Sequence, residues 1–205
     1  MLQDTSLPLF SLIKPEHAVP AIKTIIDDNR KYLTKQLDEL KEPSWDSLVV
    51  PFEEREDKLS KAWSPIGHLN AVVNSDELRN AYTEALQLLT EYSTEVSQNK
   101  KLFQAYETLL ASEEFDRLTV PQQKTISNSV RDFKLAGVGL EEKNKQRYGE
   151  IKQRLSELST QFSNNVLDAT QSWYKVVASK QELIGLSEAA IAAAKQAAEN
   201  KGLEG

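Results

Sequence analysis

QRYGEIKQRLSELSTQFSNNVLDAT, residues 146–170, decides how this chain folds. In it and just beyond, Tyr148, Ile151, Leu155, Leu158, Phe162, Val166, Ala169 and Trp173 recur at intervals of 3, 4, 3, 4, 4, 3 and 4. Alternation of three and four keeps side chains on one face of a 3.6-residue helix, whereas a strand would need intervals of two. The spacing predicts one helix from Leu140 to about Trp173 with a stripe buried over roughly seven turns. Asn164-Asn165 lies within it, although asparagine competes for backbone hydrogen bonds and forms helix poorly. The pair either faces water or bonds another part of a larger protein, and the second reading is favoured. Trp173 and Tyr174, near the end of this helix, are either core or an apolar contact for something missing, and core is the favoured reading.

Working outward, the same periodicity appears upstream. Val19, Ile22, Ile26, Leu33, Leu37 and Leu40 predict a helix from Ala18 to Lys41, with Pro20 in its first turn. Leu48, Phe52, Leu59, Trp63 and Ile66 predict a second from Trp45 to Val73, kinked or broken near Pro51 and Pro65. Asn74-Ser75-Asp76-Glu77 starts a helix with Asn or Ser as cap and Glu77 placed to box with Asn74, and Thr119-Val120-Pro121-Gln122 is a second capping box. A short helix around Leu102–Leu110 lies between these, and Gly137-Val138-Gly139 stops the run before the long helix. Downstream, Trp173 to Val177 is a β-favouring stretch, and Ser187 caps an alanine-rich helix ending at Gly202. The expected fold is an all-α bundle of about six or seven helices, with a short β-favouring stretch near residues 173–178. Residues 1–14 read as an amino-terminal arm, 15–173 as the helical domain, and 174–205 as the strand-like stretch plus final helix. A lone strand leaves its backbone unpaired, so its sheet partners are expected in sequence outside this chain.

Composition agrees and excludes several functions. Of 205 residues, 40% are hydrophobic and 27% charged, with only 7 Gly and 7 Pro, a mixture suited to long helices. The net charge of -6 argues against nucleic-acid binding, which needs a basic surface. No run approaches 18 apolar residues, so no membrane-spanning segment is expected. Met1-Leu2-Gln3-Asp4-Thr5 lacks a basic, then apolar, leader, and a cytoplasmic protein is expected. The absence of cysteine removes thiolate chemistry and Cys-ligated metals.

Motifs for catalysis are missing. Zinc needs three or four converging ligands. The two histidines, His17 and His68, are far apart in sequence, neither has a second histidine four residues on, and both read as ordinary hydrogen-bonding residues. H-E-x-x-H, G-x-S-x-G and glycine-rich phosphate loops do not occur. Paired carboxylates recur (Asp27-Asp28, Glu53-Glu54, Glu56-Asp57, Glu113-Glu114, Glu141-Glu142), but Glu53-Glu54-Arg55-Glu56-Asp57-Lys58 mixes signs as a solvated helix face does. No catalytic, cofactor-binding or metal residue is nominated.

Four segments in order carry a resemblance: PLFSLIKPEHAVPAI (Pro8 to Ile22), SPIGHLNAVVNSDELRNAYTEALQLLTEYST (Ser64 to Thr94), RDFKLAGVGL (Arg131 to Leu140) and the opening stretch. Together they resemble the amino-terminal region of the thimet-oligopeptidase family of zinc metallopeptidases. The resemblance implies a two-lobed, mostly helical metalloendopeptidase that degrades short peptides in a deep channel. In that family a carboxy-terminal lobe holds zinc with an H-E-x-x-H helix and a further Glu. This sequence contains none of those positions, so no zinc is expected here. The expected partners are a carboxy-terminal catalytic lobe and, in the full enzyme, short peptides. The chain would wall the channel, be inactive alone, and self-associate through bared surface. The alternative is a stand-alone helical module that binds peptide or protein without catalysis.

Overall fold

The computed structural model describes residues 7–203, where eight α-helices and no strand are found. They are α1 Pro15–Glu39, α2 Val50–Val72, α3 Asp76–Ser97, α4 Lys100–Leu110, α5 Glu113–Arg117, α6 Val120–Leu135, α7 Glu142–Ser172 and α8 Glu188–Asn200. The fold is all-α, as the periodicity requires; the addition to the expected count is the single-turn α5, too short to carry a stripe. The chain divides into two units, Met1–Thr160 and Gln161–Gly205. Residues 1–6, with the whole of the leader reading and the start of the amino-terminal arm, lie outside the described residues, as do 204 and 205.

In the first unit the helix boundaries follow from capping chemistry. Pro15 opens α1, where its missing N–H has no partner to lose, so Pro20 falls in the second turn rather than the first. Ser44 and Ser47 cap reciprocally: the Ser47 N–H donates to Ser44 Oγ at 2.9 Å and the Ser44 N–H to Ser47 Oγ at 3.0 Å. A wide π turn, Trp45–Val49, follows and hands over to α2 at Val50, beside Pro51. At Pro65 the expected break does not occur; α2 continues, with Pro65 buried beside Ala62 and Ile66. Ser75, not Asn74, caps α3, its Oγ accepting the Leu78 N–H at 3.2 Å, and Glu77 bonds Ser75 instead of closing a box with Asn74. Asn74 instead turns the chain, at φ 41°. Gln122 completes the second box, its Oε1 accepting the Thr119 N–H at 2.9 Å.

Two hydrophobic clusters result. Ile22, Ile25 and Ile26 of α1 join Leu59, Ala62 and Ile66 of α2 and Leu78, Ala85 and Tyr92 of α3. Leu33, farther along α1, joins Leu48 and Val49 with Leu102, Tyr106 and Leu109 of α4 and Ile126, Val130 and Phe133 of α6. Each fully buried aliphatic side chain contributes about 1.5–3 kcal/mol. After α6, Gly137 takes φ +79°, which lets Val138 fold back into the second cluster; its N–H donates to Phe133 O at 3.1 Å.

The second unit holds the end of α7, residues 173–179, a 3-10 turn at Lys180–Leu183, and α8. Residues 173–179 form neither helix nor strand. Lys201 Nζ lies 4.6 Å over the Tyr174 ring, and Lys175 pairs with Glu182 at 2.7 Å. No helix among the described residues is long and apolar enough to cross a membrane.

Candidate functional site

Most titratable residues singled out in the sequence do ordinary structural work. His17 Nδ1 accepts the Lys14 N–H at 3.3 Å, tying off the start of α1. His68 is exposed on α2, its ring 5.4 Å from that of Phe10. No three His, Asp or Glu side chains converge among the described residues, so these residues do not fit the ligand requirement of zinc. Several of the paired carboxylates hold ion pairs or a backbone N–H. Asp28 pairs with Arg55 at 2.8 Å, which holds its carboxyl below the usual carboxylate range, and Asp27 meets Arg30 at 3.5 Å. Asp57 meets Lys61 at 2.6 Å, Glu113 meets Arg117 at 3.1 Å, and Glu114 accepts the Trp45 N–H at 2.9 Å. Arg30 also binds Glu95 bidentately, both contacts 2.8 Å, joining α1 to α3.

Glu56 is the exception, and it corrects the reading of residues 53–58 as wholly solvated. It completes a register of Phe52, Glu56, Leu59, Trp63 and Ile66, spaced 4, 3, 4 and 3, and therefore turns inward. There Glu56 Oε1 accepts the Tyr92 hydroxyl at 2.8 Å. Burial pushes the Glu56 carboxyl up, opposed by the Tyr92 hydrogen bond and helped by Glu53 nearby. Burial and then the Glu56 charge push the Tyr92 hydroxyl up as well. Asn29 sits beneath, buried, its Oδ1 accepting from Arg55 at 3.3 Å and its side chain close enough to the Tyr92 hydroxyl to oppose that rise. The Tyr106 hydroxyl is buried too, with Ser129 as its polar neighbour.

This polar pair lies in the wall of a hollow of about 410 Å3 formed by α2, α3 and α6. Leu59, Leu86, Leu89, Val96 and Phe133 supply most of its surface, with Trp63 stacked on Tyr82 at 4.7 Å between centroids. Asp132 contributes the other charge, and it pairs with Arg131 at 2.7 Å. Mostly apolar surroundings with a few polar groups, Glu56 and Tyr92 among them, are what a binding site calls for.

The stripe of α7 is a second correction. Expected buried, it is exposed: in the first unit Ile151 is 44%, Leu155 55% and Leu158 43% accessible. The helix instead meets α3 through small and polar residues. Lys145 Nζ donates to Gln98 O at 3.2 Å, Thr90 Oγ1 to Ser156 Oγ at 3.2 Å, and a Cβ placed on Gly149 would stand 3.8 Å from Thr94 Cγ2. At 100° per residue this face is on the order of 140° around the helix from the apolar stripe. In the second unit Phe162 and Val166 are exposed, as are Trp173 and Tyr174, which were expected in the core. Asn164 is half-buried and Asn165 exposed.

Comparison with known proteins places the chain. The family model "Neurolysin/Thimet oligopeptidase, N-terminal domain" matches residues 22–145, which include every helix around the hollow. Oligopeptidase A of Haemophilus influenzae is 51% identical over 207 residues, covering all of this chain and 30% of the relative. Oligopeptidase A of Escherichia coli is 46% identical, again over all of the chain and 30% of the relative. A probable cytosolic oligopeptidase A of Arabidopsis thaliana is 33% identical, with 100% and 29% coverage. The chain thus spans about 30% of the length of these relatives. It belongs to the neurolysin/thimet oligopeptidase family and carries that family's N-terminal domain.

Proposed function

We propose that this chain is the helical, channel-wall part of an oligopeptidase A-like zinc metalloendopeptidase that degrades short peptides in the cytoplasm. The observation that carries the reading is the family match over residues 22–145, joined to relatives that align along the whole chain. Its role is to limit access to the reactive centre, and bond-breaking belongs to a catalytic lobe supplied by the rest of the protein. On this reading the zinc ligands belong to that lobe and the chain alone is inactive. The bare α7 stripe supports the same reading: an apolar face sustained over several turns is normally covered, and here the cover is the remaining sequence of the enzyme. Residues 173–178, β-favouring in sequence although neither helix nor strand here, would find sheet partners there too. Without that cover, the isolated chain self-associates through the exposed stripe.

The purified chain, incubated with a quenched fluorescent peptide and zinc, is expected to show no cleavage. Chelator-sensitive cleavage by a pure sample would overturn the reading. Sequencing the gene beyond codon 205 supplies an independent check: an open frame running into H-E-x-x-H supports it, and a stop codon favours a stand-alone binding module.

A further inference from the structure

The hollow between α2, α3 and α6 carries an inference that does not rest on the peptidase reading. We propose that it is a receptor for a lysine or arginine side chain presented by a peptide, with Glu56 meeting the cation and the apolar wall sheathing the aliphatic stem.

Size and lining set the class of occupant. About 410 Å3 suits a side chain and its flanking backbone. The lining contains two acids and no Lys, Arg or His, so the one charge it lacks is positive. Asp132 is already neutralised by Arg131 at 2.7 Å. Glu56 is not: Oε1 takes the Tyr92 hydroxyl, and no hydrogen bond reaches Oε2 among the described residues.

The nearby cations are committed elsewhere. Arg55, its neighbour in sequence, pairs with Asp28 at 2.8 Å and lies 3.8 Å over the Tyr32 ring. Arg30, close enough to act on Tyr92, is held bidentately by Glu95 at 2.8 Å. A carboxylate half-withdrawn from water without a counter-ion is costly, and an entering ammonium or guanidinium offsets that cost. Leu59, Leu89 and Phe133 then cover methylene groups, as long cationic side chains favour. The indole of Trp63 adds a π face to the same wall. A neutral apolar residue would gain the wall contacts but leave Glu56 unpaired, and an anion would be repelled.

The test uses the full chain, isotopically labelled for amide NMR at neutral pH. Three probes are titrated: N-acetyl-lysine methylamide, N-acetyl-arginine methylamide and the uncharged N-acetyl-norleucine methylamide. Saturable shifts centred on Leu59, Leu89 and Ser129 are expected for the two cations, with norleucine at least tenfold weaker. Glu56→Gln should weaken both cations to the norleucine level. Leu89→Trp, which fills the hollow and keeps Glu56, should abolish all three and remains informative should Glu56→Gln not fold. Equal affinity for norleucine, cation binding unchanged in either variant, shifts mapping elsewhere, or no saturable binding by any probe would each overturn the proposal.

Discussion

Helices α1 and α7 present the same periodicity and opposite outcomes. In α1, Ile22, Ile26, Asn29 and Leu33, spaced 4, 3 and 4, are all buried. In α7, Ile151, Leu155 and Leu158, spaced 4 and 3, remain accessible to water. Periodicity states which face of a helix is apolar; burial also requires a neighbour with a matching face. Helix α1 has α2 and α3 for that purpose. Helix α7 touches α3 with its small and polar face, so its order in the first unit rests on propensity, two weak i,i+3 ion pairs (Arg147–Glu150 and Arg154–Glu157) and a few seam contacts. Such a helix opens locally at low cost, whereas α1 is expected to open only with the global fold.

The contrast can be broken in order of effect. Truncating a core residue should cost most: Ile66→Ala removes a fully buried side chain shared by α1, α2 and α3, and urea denaturation should show a loss of about 2–5 kcal/mol. A loss below about 1 kcal/mol would mean that this cluster is no better packed than the α7 surface. Next, Tyr92→Phe deletes the donor to Glu56 and leaves the carboxylate half-buried without it, for an expected loss of about 1–2 kcal/mol by the same measurement. No change would show that water replaces the hydroxyl freely.

Third comes the pH dependence of Glu56. Burial raises its folded pKa above the unfolded value, so between the two the folded chain holds a proton that the unfolded chain has lost. The ionised group therefore costs stability in full above the raised value, and the cost shrinks to nothing as pH falls from there to the unfolded value. Glu56→Gln removes the charge and keeps an acceptor for Tyr92. Its stability relative to the parent chain should rise as pH climbs out of the ordinary carboxylate range. A flat difference would show that the carboxyl is fully hydrated. The smallest stability change belongs to Leu155→Ser on α7, within about 0.5 kcal/mol. The same variant should reduce self-association in sedimentation, and unchanged association would remove the stripe from that role.

The all-α architecture was legible because apolar spacing and caps agree along most of the chain, from Ile22 to Phe133. The candidate site was not, although a signal existed. Glu56 fills the gap between Phe52 and Leu59, and Asn29 the gap between Ile26 and Leu33, each in perfect register. Reading residues 53–58 by charge alone hid this: a helix turns every residue of its register inward, polar or not, and only the packed partner decides whether that position can stay polar. The exposure of the α7 stripe was beyond sequence reasoning of this kind, since a local pattern carries no information about whether a facing surface exists.

The turn at Asn74 has a kinetic consequence. Only Val73, Asn74 and Ser75 separate α2 from α3, so the two helices fold back as one αα-hairpin. Glu56 and Tyr92 are therefore brought together by a loop of 36 residues, short enough for the pairing to form early in folding. During synthesis most of the hollow's wall would be in place before α4 is available, leaving Phe133 and Asp132 of α6 to close it last. Pulse-labelled exchange should find the α2 and α3 amides protected ahead of those in α6; the reverse order would place the nucleus in the other cluster.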